Sequence, residues 1–154
     1  MEKFEQGLGI IDPKEVNMTP VKQIAMRFFQ EVCNKKNIDT IEDLVAEDVI
    51  NHDPVRGEQP GMLGLKQLLS GFFSSFPDLH IHIDFMISEH DLVASRITMR
   101  GTHIGCFMDK EGSGRSFVMP GTEIFRIHNG KIVERWANFD DLSMLRQLGF
   151  IQEI

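Results

Sequence analysis

The residues predict an α+β domain in which a curved antiparallel sheet wraps over helices. Three observations carry this. Two stretches repeat apolar residues at helical spacing, Val21 to Val32 and Met62 to Phe76. From Leu79 the period switches to two and holds through several strand-length runs. The last run closes on a short helix marked by Leu142, Leu145 and Leu148. Helices first, a run of strands next and one closing helix is an α+β order, not an alternating α/β one.

Residues 1–19 show no clear period and include Gly7, Gly9 and Pro13. They read as an N-terminal arm or lid, and residues 20–154 as one domain. Thr19-Pro20 supplies an N-cap followed by proline at the first helical position. Val21, Ile24, Ala25, Phe28, Phe29 and Val32 form one apolar stripe, so a helix runs from Pro20 to about Asn34–Asn37, with Cys33 off the stripe. Asp39 with Glu42 resembles a capping box and opens a short helix through about Ala46. Asp48 to Pro54 is a brief extended segment stopped by proline. The helix from Met62 to Phe76 ends at Pro77-Asp78.

The strands follow. Leu79, Ile81, Ile83, Phe85 and Ile87 alternate with His80, His82, Asp84, Met86 and Ser88, which predicts a half-buried strand with the first set inward. After a turn at Glu89–Asp91, the run Leu92 to Ile104 puts Val93, Ser95, Ile97, Met99, Gly101 and His103 on one face. A charged, Gly-rich loop at 105–115 leads to Ser116–His128, where Phe117, Met119, Gly121, Glu123, Phe125 and Ile127 share a face. Asn129-Gly130 tolerates the two positive φ angles of a type I′ hairpin turn. The returning strand carries Ile132, Trp136 and Asn138 and ends in Asp140-Asp141; Gly149 sits where a helix C-cap belongs.

Bulk properties exclude several classes. Net charge is −7, from 16 basic and 23 acidic residues with no basic cluster, so neither nucleic acid nor an anionic membrane surface is a suited partner. No apolar run approaches the roughly 18 residues of a membrane span. The acid-bearing first residues do not read as a signal peptide, and two cysteines, Cys33 and Cys106, suit reduced thiols; a cytoplasmic location is expected. Twelve Phe, nine Met and no Tyr exclude a mechanism resting on a phenol donor. They suit an adaptable apolar pocket for a small molecule, or a plain core. A sheet covered on one face often pairs its other face with a second copy, so a homodimer is expected.

Counting by two from Trp136 puts Asn138 and Asp140 on the indole's face. Asp140, at the strand-to-helix junction beside the chain's one Trp, is the leading candidate for chemistry. It is either a general acid/base in an apolar pocket or the N-cap of the last helix, and Asp141 is the alternative cap. His103 projects to the apolar side, as a hydrogen-bonded core residue or a proton relay. His52 lies where an extended segment meets a loop. Glu123 on an apolar face needs a partner, Arg135 or Arg100, or lines a cavity; Met99, on the inward face of its own strand, is a further substrate-binding candidate. His80, His82 and Asp84 invite a metal reading, but they lie opposite an apolar face, so no metal is expected. No nucleophile elbow, phosphate loop or CxxC is present.

From about Val21 to Gly149 the chain resembles the SnoaL-like polyketide cyclase (ester cyclase) family, within the nuclear-transport-factor-like α+β cones. The matching pieces are Asn51-His52-Asp53-Pro54, Phe76-Pro77-Asp78-Leu79, Gly101-Thr102-His103 with Phe107, Asn129 to Trp136, Phe139-Asp140 and Leu145 to Gly149. The resemblance implies a cone enclosing one hydrophobic cavity and cofactor-free acid/base chemistry, an intramolecular aldol ring closure. It implies that Asp140 is the acid/base, that His52 and His103 line the cavity, and that Trp136 forms its wall. With no Tyr in the chain, Asn138, a histidine or water would then serve in place of a phenol.

Overall fold

The structure, a computed structural model, describes residues 18–152; the arm expected over residues 1–19 lies almost wholly outside them. Helix α1 spans Pro20–Arg27, capped by Thr19, whose Oγ1 accepts the Lys22 N–H at 3.4 Å. The helix does not stop at Arg27. It widens into a π-helical stretch, Phe28–Asn34, closed by the Lys35 N–H on the Gln30 carbonyl. A wider turn advances each residue by a smaller angle, so Cys33 comes round onto the stripe below Phe28 and Phe29 and is buried. The expectation that Cys33 lies off the stripe assumed an unbroken α-helix.

A 3₁₀ turn at Ile38–Thr40 leads into α2, Ile41–Leu44. The expected capping box does not form: Glu42 instead reaches Lys66 Nζ at 2.6 Å. Strand β1 is Val45–Asn51, as long as the extended segment expected but starting three residues earlier. Helix α3, Gly61–Ser75, packs on β1. The remaining elements are β2 His80–Glu89, β3 Leu92–Thr102, β4 Ser116–His128, β5 Lys131–Phe139 and α4 Asp141–Gln147.

The sheet order is β1-β5-β4-β3-β2. All neighbours are antiparallel except β1, which runs parallel to β5. Asn129 and Gly130 have φ of 50° and 74°, the pair of left-handed residues the β4–β5 hairpin requires. Helix α4 ends in a Schellman motif: Gly149, at φ 76°, donates to the Arg146 carbonyl and Phe150 to that of Leu145. One sheet face is covered by α1, its π-helical extension and α3. Between them lies the core, in which Phe28, Phe29 and Phe125 pack ring against ring at 5.3 to 5.7 Å.

Two β-bulges decide which residues meet that core. In β2 the pairing passes from Ile83–Ile97 to Phe85–Arg96, leaving Asp84 as the extra residue. Its carboxylate accepts from Thr98 Oγ1 and from His82 Nδ1, both at 2.9 Å. Beyond it the faces exchange: Met86 is buried, while Phe85 and Ile87 stand 60% and 63% exposed. In β5 the pairing steps from Ile127–Ile132 to Arg126–Glu134, leaving Val133 as the extra residue. Ile132 faces inward, and so then do Arg135, Ala137 and Phe139. Trp136, Asn138 and Asp140 share a face as parity requires, but it is the outer one.

Candidate active site

A hollow of about 400 Å³ opens between α3 and the covered sheet face. Its apolar wall includes Leu65, Leu69, Phe72, Met99 and Met119; its polar groups are Glu123, Arg135, Asp53, Asn138 and Asp141. This is the size and make-up of a small-molecule site: mostly apolar, with a few placed polar groups.

At one side sits an ion pair removed from water. Arg135 Nε donates to Glu123 Oε2 at 3.0 Å and Nη2 to Oε1 at 3.3 Å, with residue exposures of 7% and 4%. Glu123 lies opposite Ala137 in the ladder, so Arg135 is its diagonal neighbour, within reach of a long side chain. Asn51 holds the guanidinium from behind, accepting Nη1 at 3.2 Å and donating Nδ2 to Glu58 at 2.9 Å. The pair keeps Arg135 charged, its proton affinity raised by the Glu123 charge despite the burial. Three of the five guanidinium N–H groups are thereby used among the described residues.

Asp141 stands at the rim of this hollow, solvent-open on one side. Partial desolvation raises its carboxyl pKa above the usual carboxylate value, and the neighbouring Asp140 charge adds to the rise. Asp140 itself is exposed, and its Oδ1 accepts the Ser143 N–H at 3.1 Å. It is the N-cap of α4 and does not line the hollow; the expectation that its carboxyl points inward is corrected. The Val133 bulge turns Arg135, Ala137 and Phe139 inward as far as the end of β5; beyond it Asp140 caps α4 and Asp141, its first residue, is exposed at the rim.

The imidazoles do not converge. His103 is fully buried, on the inward face expected, but its Nδ1 is held by Ser113, at 3.0 Å from Oγ and 3.3 Å from the backbone N–H. The Phe76, Phe107 and Phe150 rings surround it at 5.5 to 6.3 Å, so it anchors the 105–115 loop and does not line the hollow. His52 stacks on Trp136, with ring centroids 4.6 Å apart and planes 7° from parallel. Its Nε2 meets Glu134 Oε2 at 2.7 Å, and Glu134 in turn receives Arg126 Nε at 2.9 Å. His52 and Trp136 therefore come together, but on the outer sheet face, away from Glu123 and Met99. Of the candidates, Glu123, Met99 and Asn138 line the hollow.

The sequence marks Arg135 as a partner for Glu123 and Asp141 as an alternative cap, and the structure brings both to the hollow. The signal for Arg135 is Glu123, since a carboxylate on an inward face requires a cation beside it; no period in the sequence marks Asp141, which begins α4. His82 and Asp84 bond each other at the β2 bulge. Among the described residues no group of three or more His, Cys, Asp or Glu is placed to hold a metal. No helix among them is long and apolar enough to cross a membrane.

With fold and hollow in view, comparison with known proteins defines the class. Residues 23–148 match the family model of SnoaL-like polyketide cyclases, and the chain belongs to that family. IdmH of Streptomyces antibioticus, a candidate polyketide cyclase, is 29% identical, with a TM-score of 0.75 over 84% of this chain and 98% of that one. A candidate polyketide cyclase of Bacillus cereus is 26% identical, with a TM-score of 0.76 over 87% of this chain and 83% of its own. TsrD of Streptomyces laurentii shares the fold, with a TM-score of 0.79 at 24% identity over 89% of this chain and all of its own. No curated protein matches the chain detectably.

Proposed function

We propose that the chain is a cofactor-independent acid/base enzyme acting on a small apolar carbonyl compound, by intramolecular aldol ring closure or chemistry close to it. The observation that carries this reading is Asp141, a carboxyl of raised proton affinity at the rim of a mostly apolar hollow. As carboxylate it takes a proton from the carbon alpha to the ligand carbonyl. The electron pair of that C–H bond becomes the enolate, whose carbon attacks a second carbonyl of the same molecule. The proton then returns from Asp141 to the new alkoxide, so atoms balance with no co-reactant. Arg135, held in its charged form beside Glu123, lines the hollow, which suits a carbonyl that gains negative charge as the enolate forms.

The test is wash-in of solvent deuterium at the α-carbon of a bicyclic aryl ketone, followed by NMR. The wild type accelerates it and Asp141→Asn does not. Binding of the ketone without exchange would instead favour a ligand-binding protein of the same fold. That second reading draws on one observation: His52 and His103 both lie away from the hollow. Hydrolysis or isomerisation by the same carboxyl would show in the products formed from ester and enone probes. The reading includes a homodimer through the outer sheet face, where Phe85, Ile87 and Val118 stand exposed, and sedimentation velocity checks it. It also includes a cytoplasmic setting, with Cys33 and Cys106 free thiols.

A further inference from the structure

Asp141 borders two hollows. The second, of about 720 Å³, is lined by α3, α4 and the 105–115 loop, with Cys106, Met108, Met144 and Leu145 in its wall. The two hollows share Val55, Leu68, Phe72 and Asp141. What divides them is therefore side chains, chiefly Leu68 and Phe72 one turn apart on α3, and side chains can rotate.

Gly71 is the independent observation. It lies in the interior of α3, where glycine is the poorest helix former after proline. Its φ is not in the left-handed region, and a Cβ built there would meet nothing within 4 Å. Gly64 on the same helix is different, because a Cβ there would lie 1.7 Å from the Gln59 carbonyl oxygen. Close packing accounts for Gly64, while neither packing nor backbone conformation accounts for Gly71. Gly71 is exposed and borders the second hollow, and the space a side chain would take there is open.

We infer that the second hollow is a subsite for the apolar tail of an elongated carbonyl substrate. The reacting carbonyl lies in the first hollow beside Asp141 and Arg135, and the tail passes Phe72 into the space that Gly71 keeps open. The inference rests on the functional reading above and adds the substrate class: a carbonyl head with an unbranched apolar chain. Met108 and Met144, unbranched and polarisable, suit a wall that adapts to such a chain.

The experiment compares two probes, the bicyclic aryl ketone and the same ketone carrying a linear heptyl tail remote from its carbonyl. Dissociation constants are measured by calorimetry, with deuterium exchange on the short probe. The tailed probe binds the wild type at least about tenfold more tightly, since burying even two methylenes accounts for that much. Gly71→Phe brings the ratio of the two constants close to one, and Gly71→Ala keeps it. Leu145→Trp, which fills the hollow from α4, lowers the ratio independently. Equal binding of both probes by the wild type overturns the subsite, as does a ratio that survives both filling variants. Failure of the short probe to bind or exchange is a separate result: the first-hollow reading falls, and the subsite falls with it.

Discussion

Strands β3 and β4 differ from β5 in one respect that governs the whole site. Along β3 and β4 the pairing runs without a break from Leu92–Arg126 to Thr102–Ser116. Every residue that alternation assigns inward, from Val93 to Met99 and from Phe117 to Ile127, is buried. Along β5 one extra residue, Val133, intervenes, and everything beyond it presents the opposite face. The comparison teaches that a period of two is reliable only between bulges. Which residues of β5 face the hollow is set by how many extra residues precede them, because one residue's slip exchanges the faces.

Deleting Val133 is the severest way to break this contrast. It would turn Arg135 outward, strand Glu123 without a cation and drive Trp136 into the core, so the variant should lose its cooperative urea transition. Deleting Asp84 makes the same change in β2, an edge strand. There Phe85 and Ile87 would turn inward in place of Met86, and the variant should fold with reduced stability. Equal tolerance of both deletions would show that the bulges do not set the faces.

The buried pair comes next. Arg135→Met leaves Glu123 as an unpaired buried charge and should cost about 3–5 kcal/mol in denaturant unfolding. The double variant Glu123→Leu with Arg135→Met should recover most of that loss, since apolar replacement of a buried pair is often near neutral. If turnover is absent in the double variant while stability is restored, Arg135 serves the ligand and not only the fold.

The two aspartates sharpen the comparison at the end of β5. Asp140→Ala removes the cap from α4 and should cost about 1 kcal/mol. Asp141→Asn should abolish deuterium exchange and raise stability at neutral pH. The sign follows from the raised pKa: the folded state holds the Asp141 proton more tightly than the unfolded chain does, so ionisation above that range disfavours folding. The same shift places the acidic limb of the rate profile above the ordinary carboxylate value of about 4. Loss of exchange in Asp140→Ala with retention in Asp141→Asn would reverse the assignment.

Asp78 titrates in the other direction. Thr102 donates its hydroxyl and its N–H to the Asp78 carboxylate, both at 2.7 Å, and lowers its pKa. Its contribution is present above the unfolded value of about 4 and is lost as pH falls through the lower folded value. Asp78→Asn should flatten the acid limb of the stability profile. The smallest effect concerns Trp136, the chain's one tryptophan. Stacked on His52 outside the hollow, its emission should change little when a ketone binds and more when copies associate.

Much of the fold was legible. Thr19-Pro20, Asn129-Gly130 and Gly149 are local devices, and each acts as its chemistry requires because its effect is confined to a few neighbouring residues. The helical stripes and the central strands were legible for a similar reason: their periods run unbroken. The site was legible only in part. Glu123 announced a buried cation, yet choosing Arg135 over Arg100 requires the diagonal across β4 and β5. His103 was placed on the correct face, but its holder, Ser113, lies ten residues away across a loop whose path is not encoded in any period.

The amino-acid order by itself determined the class of fold, the hairpin, the caps and the inward faces of β3 and β4, because these follow from backbone preferences and unbroken apolar spacing. Tertiary structure alone decided that α1 widens at Phe28, that β2 and β5 each change face, and that Asp141 meets the hollow while Asp140 caps a helix. Those outcomes depend on pairing between segments far apart in the chain. One inserted residue leaves local propensity unchanged while reversing every side chain that follows.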